Sequence, residues 1–224
     1  MTTLPLASSV IRGHLVLLAA ALGLGACGGG PSAGEQEPVP APALPLPTAG
    51  IAGQPVAVYP LTLVTAEEQL GWQDYLADRR AALDRADSII AALLTERSPE
   101  AQWILPAALR RAAARSPGVL TNPDQMGTAL LRGSDVEKIP DPLRSQMRAL
   151  NGVAADRYAL VPSALVFRTA SDTASDGRGK AELMLVLVDV RTGFVGWRTV
   201  AWGEGADPWE ALRVAFKTLT PGLP

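Results

Sequence analysis

Hydrophobic and polar positions divide the chain into three regimes. Positions 15–22 are apolar without interruption, positions 28–54 mix proline, glycine and small residues with no period, and from position 55 onward apolar residues recur with the periods of strands and helices. Val56, Val58, Tyr59, Leu61 and Leu63 predict an opening strand, ended by Thr65-Ala66-Glu67-Glu68, which has the Thr-x-x-Glu form of a helix capping box. Leu76, Leu83, Ala86, Ile90, Leu93 and Leu94 then follow helical spacing, with Asp78, Arg79, Asp84, Arg85 and Glu96 around the other side, predicting one long amphipathic helix over 66–97. Three further helix starts pair a capping side chain with proline: Ser98-Pro99, Asn122-Pro123 and Asp141-Pro142. Pro106 breaks the first of these, leaving a regular part over 106–116. A short strand over 119–121 fits between two of these helices.

The last third changes period. Segments 157–167 and 181–190 are rich in β-formers. In the second, Leu183, Leu185 and Leu187 alternate with Met184, Val186 and Val188, so both faces are apolar and the strand belongs inside a sheet covered by helices. Arg191-Thr192-Gly193 supplies a hairpin turn, residues 194–202 return as the next strand, and 171–179 form a polar hairpin loop. Asp207-Pro208-Trp209-Glu210 starts a closing helix over 208–219. The order predicts an α/β fold: a mixed sheet of about four to five strands packed with helices, with a C-terminal three-strand meander. The divisions are 1–26 as an export segment, 27–54 as a tether contributing no core, and 55–224 as the α/β domain.

Composition changes the picture by exclusion. The 20 basic residues stand against 22 acidic ones, a net charge of −2 that leaves no electrostatic footprint for nucleic acid. The one histidine is His14 and the one cysteine Cys27. A chain that starts at Cys27 therefore has no imidazole and, with that thiol modified, none for Ser-His-Asp or Cys-His catalysis, zinc ligation or a disulfide. Carboxylate or Ser-Lys chemistry is what remains. No catalytic residue, metal site or cofactor is expected.

Arg12 and the apolar run 15–22, too short to span a bilayer, read as a cleaved export signal. Leu24-Gly25-Ala26-Cys27 resembles the lipobox of bacterial lipoproteins, which implies lipidation at Cys27, cleavage before it, and an anchor of two or three acyl chains. Gly28 follows the cysteine where an inner-membrane retention signal has aspartate, so the resemblance implies the outer membrane, facing the periplasm. Pro38, Pro40, Pro42, Pro45 and Pro47 favour polyproline II and make 28–54 a semi-rigid spacer.

Val56-Ala57-Val58-Tyr59-Pro60, Gly118-Val119-Leu120-Thr121-Asn122, Arg157-Tyr158-Ala159-Leu160-Val161 and Leu185-Val186-Leu187-Val188-Asp189-Val190-Arg191-Thr192-Gly193-Phe194-Val195-Gly196-Trp197 together resemble a group of bacterial envelope proteins. The group comprises the curli-secretion lipoproteins, the lipoprotein activators of penicillin-binding proteins and the amino-terminal domain of the Tol translocation protein. The resemblance implies a non-enzymatic adaptor acting by protein binding. It brings no catalytic residues. No extra alternating segments provide the membrane hairpin of a secretion pore. The alternatives are a glycan-binding protein or carboxylate-dependent hydrolase, and a small-ligand carrier with an interior apolar cavity.

Candidate partner-binding residues are Arg79, Arg85 and Glu96 on the outer face of the long helix, with Trp197 and Trp202, which the strand period sends to opposite faces. Arg110, Arg111 and Arg115 read as a solvated helix face. Asp189 reads as a turn cap, and Asp172, Asp176 and Gly177 fit a calcium loop too poorly to be one, since Ala174 and Leu183 fall where carboxylates are needed.

Overall fold

The computed structural model describes residues 42–155, 157–170 and 178–220. Cys27, the export segment, the tether up to residue 41 and the 171–177 part of the predicted loop, with Asp172, Asp176 and Gly177, lie outside them. The described residues form a mixed α/β fold. Six strands, β1 (Pro55–Val58), β2 (Val64–Ala66), β3 (Gln102–Ile104), β4 (Tyr158–Thr169), β5 (Gly179–Asp189) and β6 (Phe194–Gly205), make one sheet in the order β3-β1-β4-β5-β6, with β2 also on β4. The helices are two single turns, α1 (Thr48–Ile51) and α2 (Gln73–Leu76), and four longer ones, α3 (Arg79–Arg97), α4 (Pro106–Ala114), α5 (Leu143–Ala154) and α6 (Pro208–Lys217).

β1, β2 and β3 pair in parallel, whereas β4, β5 and β6 form the antiparallel meander predicted from the alternation. β1 covers β4 up to Leu160 and β2 resumes at Leu165, so the interruption falls opposite Pro162 and Ser163, where the β4–β5 register also shifts. Proline lacks an N–H for the ladder, and a bulge opposite a gap is where a central strand tolerates it. Both sheet faces are buried. Leu183, Leu185 and Leu187 pack with α3 and α6, while Val186 and Val188 pack with α4 and α5, giving a three-layer arrangement.

Six expectations are corrected. The helix over 66–97 is broken into β2, a 3₁₀ turn (Glu68–Leu70), α2 and α3. Its first half leaves the helical path because Trp72 is 4% exposed and packs edge-on against Phe167 at 5.5 Å, and Asp78, accepting from the Ala81 N–H, caps a new start. Thr65 lies in β2 and Glu67 accepts hydrogen bonds from the Thr169 N–H and hydroxyl, so no capping box forms there. Ser98-Pro99 starts no helix; the chain turns into β3, and Pro106 becomes the first residue of α4. Residues 119–121 form no strand, and Asn122-Pro123 opens only a 3₁₀ turn (Pro123–Gln125). Finally, packing begins before residue 55, since Leu46 and Ile51 are buried in the α3–α6 core and the Leu46 N–H bonds the Leu219 carbonyl.

α6 lies directly on β6. A Cβ at Gly203 would stand 2.0 Å from the Ala215 nitrogen, so the helix backbone occupies the space a side chain would need. Asp207 caps α6 through the N–H groups of Trp209 and Glu210, as its sequence predicts.

Candidate functional site

The outer surface of α3 meets α6 along a groove of about 430 Å³ lined by Arg85, Ser88, Ile89, Ala92, Leu93, Glu96, Arg97, Arg213 and Lys217. Its floor is apolar, because Ile89 and Leu93 are the residues with which α3 packs on the sheet layer. Its rim is cationic. Arg85 lies 5.1 Å from the centroid of the buried Trp209 ring, a cation–π contact that holds the guanidinium at the rim. Arg97 is 6% exposed and turns inward, donating to the Thr220 hydroxyl at 2.7 Å and its carbonyl at 3.2 Å. Arg85, Arg213 and Lys217 against Glu96 leave the rim with an excess of positive charge.

Of the five residues expected to bind a partner, the fold brings two together, Arg85 and Glu96. Arg79 stands apart at the start of α3, where it donates to the Thr62 carbonyl at 2.8 Å and ties the helix to the chain before β2. The two tryptophans are on opposite sheet faces, as the strand period requires. Trp197 sits opposite Leu187 and is half-buried on the α3–α6 side, its Nε1 enclosed without a hydrogen-bond partner among the described residues. Trp202 sits opposite Glu182, half-buried, with the Lys180 ammonium 4.0 Å above its ring.

A second concentration of charge was not singled out by sequence. Arg110 on α4 donates through Nε and Nη2 to Asp124, at 2.9 and 2.7 Å, and through Nη2 to Asp87 on α3 at 2.7 Å; Arg80 joins Asp84 to Asp124. Asp87 is 5% exposed and its other oxygen accepts from the Leu61 N–H at 2.8 Å. Burial pushes the Asp87 carboxyl up to about 6; the Leu61 N–H and Arg110 pull against it without prevailing, because Arg110 gives its two-nitrogen grip to Asp124. Asp124, also raised by burial, ends below its ordinary value through Arg110 and Arg80. The signal was present: Leu83, Asp87, Ile90 and Leu94 follow i, i+4, i+7, i+11, so the acid stands on the apolar stripe.

This network locks α3, α4 and the segment after β1 together. Every carboxylate in it accepts a hydrogen bond from an arginine or a backbone N–H. Arg110 therefore leaves the solvated face expected for it, whereas Arg111 and Arg115 remain exposed and line the α4–α5 groove with Val153. Asp189 is the turn cap that was predicted: its Oδ1 accepts from the Arg191 and Thr192 N–H groups, and Gly193 holds φ +81°. Burial raises the Asp189 carboxyl, but Arg157 and these backbone donors hold it below its usual value. Among the described residues no three His, Cys, Asp or Glu side chains are grouped to hold a metal ion. No described helix is long and apolar enough to cross a membrane.

Protein-family models give no match to the chain, and neither do curated proteins. Among solved structures the chain is similar to a single-substitution variant of the PelC dodecamer from Paraburkholderia phytofirmans, at 17% identity over 80% of this chain and 93% of that one, with a TM-score of 0.38. A second PelC dodecamer structure from the same organism is 19% identical over 75% and 86%, also at 0.38. The NMR structure of E. coli LpoB is 12% identical over 90% of each chain, at 0.35. At these identities and scores the likeness bears on no individual residue of this chain.

Proposed function

We propose that this protein is a lipid-anchored adaptor of the bacterial cell envelope, attached through Cys27, with its α/β domain held off the membrane by the proline-rich tether and acting by binding a protein partner. The observation that carries the reading is Leu24-Gly25-Ala26-Cys27 at the end of a short apolar run, followed by a proline-rich stretch and then a folded unit. Glycine after the cysteine supports the outer membrane as its address. The groove between α3 and α6 suits the partner's contact, having an apolar floor and a cationic rim, so the segment it receives is amphipathic and acidic.

Mass spectrometry of the protein purified from its native envelope tests the anchor chemistry. The expected amino-terminal peptide starts at Cys27 and carries a diacylglycerol thioether and an acylated amine. A mature terminus elsewhere, or an unmodified Cys27, overturns the reading.

A further inference from the structure

We infer that a second copy of this chain adds to the free edge of β6, pairing the two strands antiparallel about Ala201 to join their sheets. β6 is the last strand in the sheet order. Among the described residues, its outer side is bonded by other backbone only at its start, where the Val195 N–H donates to the Glu137 carbonyl and Lys138 bridges Phe194. Residues 42–46 reach β6 through the Thr199 hydroxyl, to which the Leu44 N–H donates, and make no backbone bond with it. The open stretch therefore covers residues 197–205, about 30 Å of unpaired strand edge at the usual rise.

The midpoint of that stretch is Ala201, and the side chains about it are complementary to themselves. On the face opposite α6 the order is Arg198, Val200, Trp202, Glu204. Antiparallel pairing with Ala201 opposite its own copy sets Arg198 against Glu204 and Val200 against Trp202, each twice by symmetry. The charges suit the pairing. Arg198 donates to the carbonyls of Leu131, Gly133 and Val136 but pairs with no carboxylate at ion-pair distance, and Glu204 is exposed and has no hydrogen bond or ion pair among the described residues. On the α6 face the stretch carries Trp197, Thr199, Ala201, Gly203 and Gly205, and the same pairing sets Trp197 against Gly205 and Thr199 against Gly203, so each larger side chain meets a glycine. A shift of one residue sets Val200 of one copy against Ala201 of the other and sends every side chain to the wrong face, and a shift of two keeps the faces but sets Arg198 against Trp202 or Val200 against Glu204, so this register is the one that pairs the charges.

The test uses the full chain with Cys27→Ser, so that introduced cysteines are the only ones. Val200→Cys and Trp202→Cys are prepared separately, mixed in equal amounts and oxidised. The expected result is a disulfide-linked dimer from the mixture and little from either alone, because residue 200 faces residue 202 of the partner at a bridgeable distance while the 200–200 and 202–202 pairs are too far apart. In sedimentation, the unsubstituted surface is expected to dimerise with rising concentration. Glu204→Arg, which opposes Arg198 with a like charge, is expected to weaken the dimer at least tenfold with an unchanged melting temperature. A monomer up to hundreds of micromolar, a dimer whose mixed cysteines fail to link, or a dimer indifferent to Glu204→Arg overturns the proposal.

Discussion

The guanidinium of Arg110 hydrogen-bonds the carboxylate of Asp87 at 2.7 Å, and through this pair α4 is pinned to α3 from a position that solvent barely reaches on the acid's side. Removing the arginine leaves a buried acid with one backbone donor. Arg110→Ala is expected to lower the unfolding free energy by about 3–5 kcal/mol, the usual cost of stranding one member of a buried pair. Arg111→Ala, on the exposed side of the same helix, is expected to change it by less than about 0.5 kcal/mol. Urea denaturation of the two variants checks the contrast.

The pH dependence of the same pair has a defined sign. The folded Asp87 carboxyl titrates at about 6 against an ordinary 3.8, so folding takes up a proton between these values. Its contribution to stability is full below about 3.8 and is lost as pH rises through 6. Carboxyl-carbon NMR is expected to place the Asp87 midpoint near 6. In Asp124→Asn, which frees Arg110 for Asp87 and removes a neighbouring negative charge, the midpoint is expected to fall.

The contact between Gly203 and α6 is tested by adding one carbon. With the Ala215 nitrogen 2.0 Å from the new Cβ, Gly203→Ala must displace the helix and is expected to cost about 3 kcal/mol or more. Gly152, in α5, has nothing within 4 Å of a built Cβ, so Gly152→Ala is expected to stabilise by roughly 0.5–1 kcal/mol. Thermal unfolding of both variants gives the comparison.

Tyr59, immediately after β1, is wholly buried and its hydroxyl donates to the Asn151 side chain at 2.8 Å, while the Asn151 amide donates to the Tyr158 carbonyl. Burial raises the phenol well above its ordinary value, so it stays protonated and remains a donor. Tyr59→Phe is expected to cost about 1–3 kcal/mol by leaving the Asn151 oxygen without its partner. A loss shared with Asn151→Ala, smaller for the double variant than the sum of the two, identifies the pair in a double-mutant cycle.

How far the sequence could be read depended on the range of the interactions that shaped each part. The meander of β4, β5 and β6 was legible because Leu183 to Val188 alternate, and the Asp189 to Gly193 turn and the Asp207 cap are settled within a few residues. The break before α3 was not, because it follows from Trp72 packing against Phe167, 95 residues onward in a partner strand whose position local spacing does not encode. β3 was missed for a similar reason: three residues pair with β1 from a stretch whose Ser98-Pro99 imitates a helix start. For the groove, the apolar and charged sides of α3 were visible, so Arg85 and Glu96 were legible as charges on its outer face. Arg213 and Lys217 belong to a helix more than a hundred residues away, and only tertiary packing brings them to the same rim.

Arg85→Glu combined with Lys217→Glu reverses the charge of that rim while leaving the apolar floor in place. Apart from the loss of the Arg85 contact with Trp209, worth about 0.5–1 kcal/mol, stability is expected to hold, and association with an acidic partner segment is expected to slow and its salt dependence to change sign. Surface plasmon resonance with the captured partner at two salt concentrations reads this directly.

The anchor at Cys27 is the centre of the account, and one fractionation tests it most directly. In envelopes washed with carbonate, the unsubstituted protein is expected in the membrane pellet and to float with the outer-membrane band, while Cys27→Ser is expected in the soluble fraction. Retention of Cys27→Ser in the washed membrane pellet, in the same amount as the unsubstituted protein, contradicts the account.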